Sequence, residues 1–346
     1  EIMPSLVGSE MCIRDSGITS SNIEWNNINR MISIKNGVND GGSATLTKTT
    51  NTTGTLLSSV ITAGVGTSGD GVITNITDNG TQQYRYQGNN PNNYVSFNNQ
   101  LWRIIGYVPV CVEVNPITED TTINGIEFKQ GDAQCTKWEN RVKIIKADPI
   151  GAFVYNKTNS ITWTGSTIQG LLNTCYLGKK DGCDKYCYVY QTSQGVCNYL
   201  QNGINENDSY GNMIESIYFN TGIADSYSLS SSGFYAKETI KQVSEKSMIG
   251  LMYASDFGYA ISGYTGNLFY LSAYSHMANN WLFGQSYEWT MTGYSSSIPV
   301  IVSGNGGVLN VGAYYGYAVR PILYLQSNVN KLSGDGTLAS PYTLGM

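Results

Sequence analysis

Charge is scarce in this sequence. Only 13% of its 346 residues are Asp, Glu, Lys or Arg, against about a quarter in an ordinary soluble domain. The formal net charge of −5 supplies no basic field for a phosphate backbone, so nucleic acid is not an expected partner. Histidine is rarer still. His276 is the only imidazole, and a lone His is more often a hydrogen-bonded structural residue than a general base. No apolar run reaches the ~18 residues of a membrane-spanning helix. There is no nucleophile elbow, no H-E-x-x-H pair and no phosphate-binding loop. Asp132, Asp148, Asp256 and Glu288 are scattered, and spacing pairs none of them for acid–base work. The acidic loops 181–184 and 205–208 do not match an EF-hand. These gaps lead us to expect no catalytic residue, no metal and no cofactor.

What is there instead is 26 Tyr, 39 Gly and seven Cys. The odd cysteine is Cys12, within Glu1–Ser16, EIMPSLVGSEMCIRDS. That string resembles the translation of a transposase-type sequencing adapter, with Leu6–Ser16 as the adapter proper and Glu1–Ser5 as the sequence leading into it. The resemblance implies that residues 1–16 are an artefact and that the genuine N-terminus, with any signal or anchor, is missing. Setting them aside leaves six cysteines, and takes away three acidic residues and one Arg, so the net charge becomes −3.

The six are Cys111, Cys135, Cys175, Cys183, Cys187 and Cys197. Cys111 and Cys135 bracket a polar excursion between two strands, where a disulfide would close the loop. The other four allow three pairings, and sequence does not choose among them. Their spacing, C-x7-C-x3-C-x9-C, lacks the paired knuckles of common structural zinc sites. Disulfides are therefore expected, and with them an oxidising, extracellular or cell-surface location.

Along the chain, Ile28, Met31 and Ile32 sit at roughly helical spacing and predict a short helix over 23–34. Residues 17–82 read as a linker or N-terminal extension, Gly-, Thr- and Ser-rich from 41 onward. A packed domain is expected over 83–330, followed by a tail over 331–346. Tyr94–Phe97 and Leu101–Ile105 flank Asn98-Asn99 and predict a hairpin. Arg141–Lys146 is a further strand. Ser166 is a plausible N-cap for a helix over 166–177, and a second helix is expected over 236–246. Ile298–Val302 and Val308–Val311 flank a Gly-Asn-Gly-Gly turn, and 319–325 reads as a closing core strand. Strands outnumber helices without regular alternation, which predicts an α+β domain with short twisted strands, two main helices and long loops.

Residues 250–325 are crowded with aromatics among Gly, Ser and Asn. Trp102 and Trp289 lie in strand-like runs and are expected in the core. Tyr264, Tyr274, Tyr287, Tyr294, Tyr314 and Tyr315 fall in loop-like surroundings. Tyr beside Ser, Gly and Asn is the composition of adaptable binding surfaces, because the ring gives flat contact area with little entropy to lose. These six are the expected ligand-binding residues, with a glycan or a protein as the ligand.

Several motifs together resemble a family of surface proteins of gut Firmicutes. They are Asn90-Pro91-Asn92-Asn93-Tyr94-Val95-Ser96-Phe97-Asn98, Leu101–Gly106, Arg141–Lys146, the helix region Trp163–Leu177, Ile249–Ala260, Trp289–Thr292, Val319–Leu325 and the closing Gly334–Leu344. The resemblance covers about residues 84–344. It implies a surface location, and an N-terminal prepilin-like or signal helix upstream as membrane or cell-wall anchor. The order Glu288-Trp289-Thr290, Gly-rich hairpin, Val319-Arg320-Pro321 also resembles the end of the formylglycine-generating-enzyme branch of the C-type-lectin-like fold. That enzyme branch uses a reactive Cys pair late in the domain, and here no Cys follows Cys197. Nor do the calcium-binding triplets of sugar-binding C-type lectins occur. Arg320 is expected in a structural ion pair. The expectation is a secreted or surface-anchored binding module with a C-type-lectin-like domain. A pilin-like structural subunit is the alternative, and an enzyme of the formylglycine-generating kind a remoter one.

Overall fold

The computed structural model describes residues 54–66, 71–78, 81–271 and 274–346, and before them four short strands. The chain forms two compact units, Glu1–Gly54 and Thr55–Met346. In the first, Glu10–Ile13 pairs antiparallel with Leu46–Thr49, and Ile23–Asn26 with Met31–Ile34. The helix expected over 23–34 is therefore replaced by two strands. Its β-branched Ile and its Asn residues are weak helix formers, and the apolar spacing was too short to outweigh them. The rest of the adapter-like segment and of residues 17–53 lies outside the described residues.

The second unit is wider at both ends than the expected 83–330. Its spine is a long antiparallel hairpin, Gln100–Pro116 against Ala133–Lys146. Register shifts near Cys135, Lys137 and Lys143 mark bulges, which increase local twist. Before it, Tyr94–Phe97 pairs through a two-residue turn in which Asn98 and Asn99 have φ of 53° and 56°. A turn with both central residues left-handed matches the strand twist, and Asn tolerates that region. Ile322–Leu325 and then Ile249–Gly250 extend the sheet on one side. On the other, Tyr342–Gly345 runs parallel to Tyr94–Phe97, followed by Asn330–Ser333 and Thr55–Leu56. The segments read as linker and tail thus supply strands. A second sheet orders Ala152–Val154, Gly316–Ala318, Glu288–Ser295, Ile298–Val302 and Val308–Asn310.

Helices are few and short, so the unit is mixed α+β and mostly strand. Ser166 caps the first turn of Thr167–Gly170 by accepting from the Gln169 N–H at 3.1 Å, and the helix continues as a π-turn over Leu171–Tyr176. The helix expected over 236–246 instead spans Ser231–Glu238, because Ser230 accepts from the Gly233 N–H at 3.2 Å and so fixes an earlier start. Trp102, Trp163 and Trp289 are fully enclosed. The Trp289 indole N–H donates to the Phe153 carbonyl at 2.7 Å, whereas the indole N–H groups of Trp102 and Trp163 are buried with no hydrogen-bond partner among the described residues.

Three cysteine pairs stand at disulfide distance. Cys111–Cys135 closes the excursion as expected, and the remaining four pair as Cys175–Cys183 and Cys187–Cys197. Each pair joins neighbours in sequence, so the last two build small local loops on the strand-poor stretch after Tyr176. No helix among the described residues is long and apolar enough to cross a membrane.

Candidate functional site: an interior charge quartet and an exposed tyrosine line

Two places gather chemically distinctive side chains. The first is enclosed. Arg85, Lys143, Glu238 and Asp256 are all buried. Asp256 accepts from the Arg85 guanidinium at 2.6 Å and from Lys143, and also takes the Tyr253 backbone N–H at 2.8 Å. Burial pushes the Asp256 carboxyl up, but the charges of Lys143 and Arg85 outweigh it and hold it below the ordinary value. The Lys143 ammonium also lies 4.5 Å from the Tyr253 ring centre and 5.3 Å from that of Tyr324.

Glu238, at the end of its helix, has no cation bonded to it among the described residues. It accepts from the hydroxyls of Ser255 and Thr292 and from the Ser255 N–H at 3.2 Å. Burial raises its pKa to about 7, against the downward pull of those hydrogen bonds. A second buried pair, Arg320 with Glu288, also binds the Leu282 carbonyl at 2.7 Å. Arg320 thus makes the structural ion pair expected of it. Arg103 is sandwiched between the rings of Tyr94 and Trp281, 4.2 Å and 4.5 Å from their centres.

The second place faces solvent. Tyr287, Tyr314 and Tyr315 are brought into one aromatic group, which Tyr190 and Tyr317 complete. Ring centres run Tyr190 to Tyr315 at 5.7 Å, Tyr315 to Tyr317 at 6.1 Å and Tyr317 to Tyr287 at 5.6 Å, with Tyr314 beside Tyr315 at 4.7 Å. Tyr190 and Tyr287 are 43% exposed and Tyr315 38%. Underneath, Tyr317 packs against the enclosed Trp289 at 5.1 Å, which ties the line to the core.

Tyr190 arrives on a short arm, Tyr188–Tyr190 paired with Ser193–Gln194 and closed by Cys187–Cys197. The Gln191 N–H donates to the Tyr314 carbonyl at 2.9 Å. Gly316 makes the approach possible: a Cβ there would lie 2.0 Å from the Val189 carbonyl oxygen. Any other residue would force the arm away from the strand.

The remaining expected residues lie elsewhere. Tyr294 packs with Tyr227 at 4.6 Å and Phe269 at 6.2 Å. Tyr264 lies 4.8 Å from the His276 ring and lines a cleft of about 430 Å³ with Ser230, Ser232 and Thr265. The side chain of Tyr274 falls outside the described residues. Among the described residues no ring contact joins the Tyr264 and Tyr294 groups to the line, so the single face expected over 253–317 divides into separate places. A larger cleft of about 520 Å³ is lined by Trp163, Gln242, Ser244 and the Asp132–Lys241 ion pair of 2.6 Å. Among the described residues no group of three or more His, Cys, Asp or Glu would hold a metal ion.

No family model, curated protein sequence or solved structure matches the chain.

Proposed function

We propose that this chain is a secreted or surface-anchored recognition module, and that adhesion or recognition takes place on the line Tyr190–Tyr315–Tyr317–Tyr287. The observation that carries this reading is the line itself. Five tyrosines from three separate chain segments meet on the surface, against the pull of the hydrophobic effect to bury such rings. They are held there by a disulfide-closed arm, a backbone hydrogen bond and a glycine-dependent contact. A surface held in shape before its ligand arrives loses little entropy on binding. The three disulfides support an oxidising, extracellular location.

The finer fold reading is a C-type-lectin-like domain. In its favour, Thr55–Leu56 and Tyr342–Gly345, from the two ends of the unit, lie in one sheet, and the stretch 155–287 holds only short helices and strands of two or three residues. The charged quartet is wholly covered by packed side chains, an arrangement that suits fold specification rather than turnover, and no catalytic step is assigned. The test is an array of glycans and proteins probed with the full chain. Binding that is lost on Tyr314→Ala with Tyr315→Ala supports the reading. Full affinity in that variant sinks it.

A further inference from the structure

We propose that the ligand of the tyrosine line is an uncharged polysaccharide, bound as a single chain along successive rings. This rests on the reading of that face as the recognition surface. The first argument is charge. The segments that build the face, 186–198, 277–287 and 299–319, contain no Asp, Glu, Lys or Arg. Two of the charged residues that bound these segments, Glu288 and Arg320, are buried against each other, and a third, the exposed Lys185, lies 4.8 Å from the ring centre of Tyr186. Lys157 lies alongside, 4.5 Å from the ring centre of Tyr188. Anionic polymers are held by clustered cations. Protein partners are held at aromatic and Arg hot spots and steered by complementary charge. With only Lys157 and Lys185 at the edge of the arm and no cluster of cations beside the rings, the face suits an uncharged ligand better than a polyanion.

The second argument is shape. The rings follow one another in contact, with steps of 5.6–6.1 Å between the centres of Tyr287, Tyr317, Tyr315 and Tyr190. That step is comparable to the length of one hexose unit, so successive rings meet successive sugars of a linear polymer. The C–H groups on a pyranose face carry partial positive charge and fit the negative face of an aromatic ring. Neighbouring ring planes are inclined by 41°, 37° and 46°. An inclined line suits one twisted chain rather than a flat crystalline sheet of chains.

The third is the fringe. Gln191, Thr192, Ser193 and Gln194 are exposed on the arm beside Tyr190, and the Gln191 amide donates to the Tyr190 hydroxyl at 3.3 Å. Neutral amides and hydroxyls both donate and accept, as sugar hydroxyls require.

Affinity electrophoresis of the full chain tests this, in gels containing a soluble β-glucan, amylose, a galactomannan or the anionic polygalacturonate. At least one neutral polymer is expected to retard the chain, equally at low and high salt. Tyr190→Ala with Tyr315→Ala should weaken that retardation by about tenfold or more, on the scale of interface hot spots. Tyr315→Phe should keep it, since the ring remains. Circular dichroism confirms that the variants are folded. Gly316→Ala, which keeps every tyrosine but displaces the arm, should also weaken it. Retardation by none of the neutral polymers, or a salt-sensitive retardation by polygalacturonate alone, overturns the proposal. If a protein on the array binds instead and the Tyr variants abolish it, the ligand class falls while the recognition face stands. If a neutral polymer binds equally well to the Tyr variants, both fall.

Discussion

The interior quartet and the tyrosine line are opposites of the usual arrangement. Ordinary domains put charge outside and large rings inside. Here Arg85, Lys143, Glu238 and Asp256 are enclosed, while Tyr190, Tyr287 and Tyr315 stand in solvent. The two regions are held by different physics. Within the quartet, Arg85, Lys143 and Asp256 are bound to one another, so that removing Asp256 strands two charges where water does not reach, while Glu238 is held by the Ser255 and Thr292 hydroxyls. The line is held by geometry, through a disulfide, a glycine and backbone pairing, and its rings owe little to each other. One region specifies the fold, and the other is free to be changed without endangering it.

That contrast can be broken by mutation, and the quartet is where the effects are largest. Asp256→Ala leaves Arg85 and Lys143 buried without their counter-charge, and urea unfolding should show a loss of about 3–5 kcal/mol or no folded protein at all. Asp132→Ala, which breaks the half-exposed pair with Lys241, should cost only about 1 kcal/mol or less. Equal losses at the two sites would contradict the account.

Next comes pH. Glu238 holds its proton to about 7 in the folded state, against an ordinary 4.5. Between those values the folded state binds more protons than the unfolded one, so stability falls as pH rises. The loss approaches about 3 kcal/mol across that window. Glu238→Gln carries no titrating proton, and its stability measured at pH 5 and pH 7 should differ by correspondingly less than that of the parent. A parent slope of the opposite sign in the same window would refute the assignment.

Smaller is the arm. Replacing Cys187 and Cys197 by Ser opens a short loop and should cost about 2–3 kcal/mol, while ligand binding weakens although every tyrosine remains. Smallest in stability are the rings themselves. Tyr190→Ala and Tyr315→Ala should each shift the unfolding free energy by no more than about 0.5 kcal/mol, as exposed substitutions do. A large loss there would show that the line is structural.

How far these regions can be read in the sequence differs in the same way. Trp102 and Trp289 declare themselves because they sit in alternating strand runs, and both are enclosed. The Asn98-Asn99 hairpin is equally local. The quartet is not legible: Asp256 meets Lys143 and Arg85 across 113 and 171 residues of sequence. No spacing rule reaches that far, which is why Asp256 and Glu288 read as isolated carboxylates. The line is half legible. Tyr287, Tyr314 and Tyr315 lie in Gly- and Ser-rich stretches that signal a surface. Tyr190 sits in a cysteine-bounded loop far from them in sequence, and Tyr317 lies inside a strand, so loop composition missed both. The signal that was present is the absence of charge, shared by 186–198 and 299–319. Ser230 starts its helix five residues before the expected 236, and only 236–238 of the expected span is helical, because the cap and not the span fixes where the helix begins.

The most direct measurement is a single titration series with whichever array ligand binds best, comparing the parent chain with Tyr190→Ala/Tyr315→Ala, Tyr294→Ala and Tyr264→Ala. The account predicts an affinity loss of about tenfold or more in the first variant, and parent-like affinity in the other two. Parent-like affinity in the Tyr190/Tyr315 variant, with the loss appearing at Tyr264 or Tyr294 instead, would contradict it and move recognition to another part of the surface.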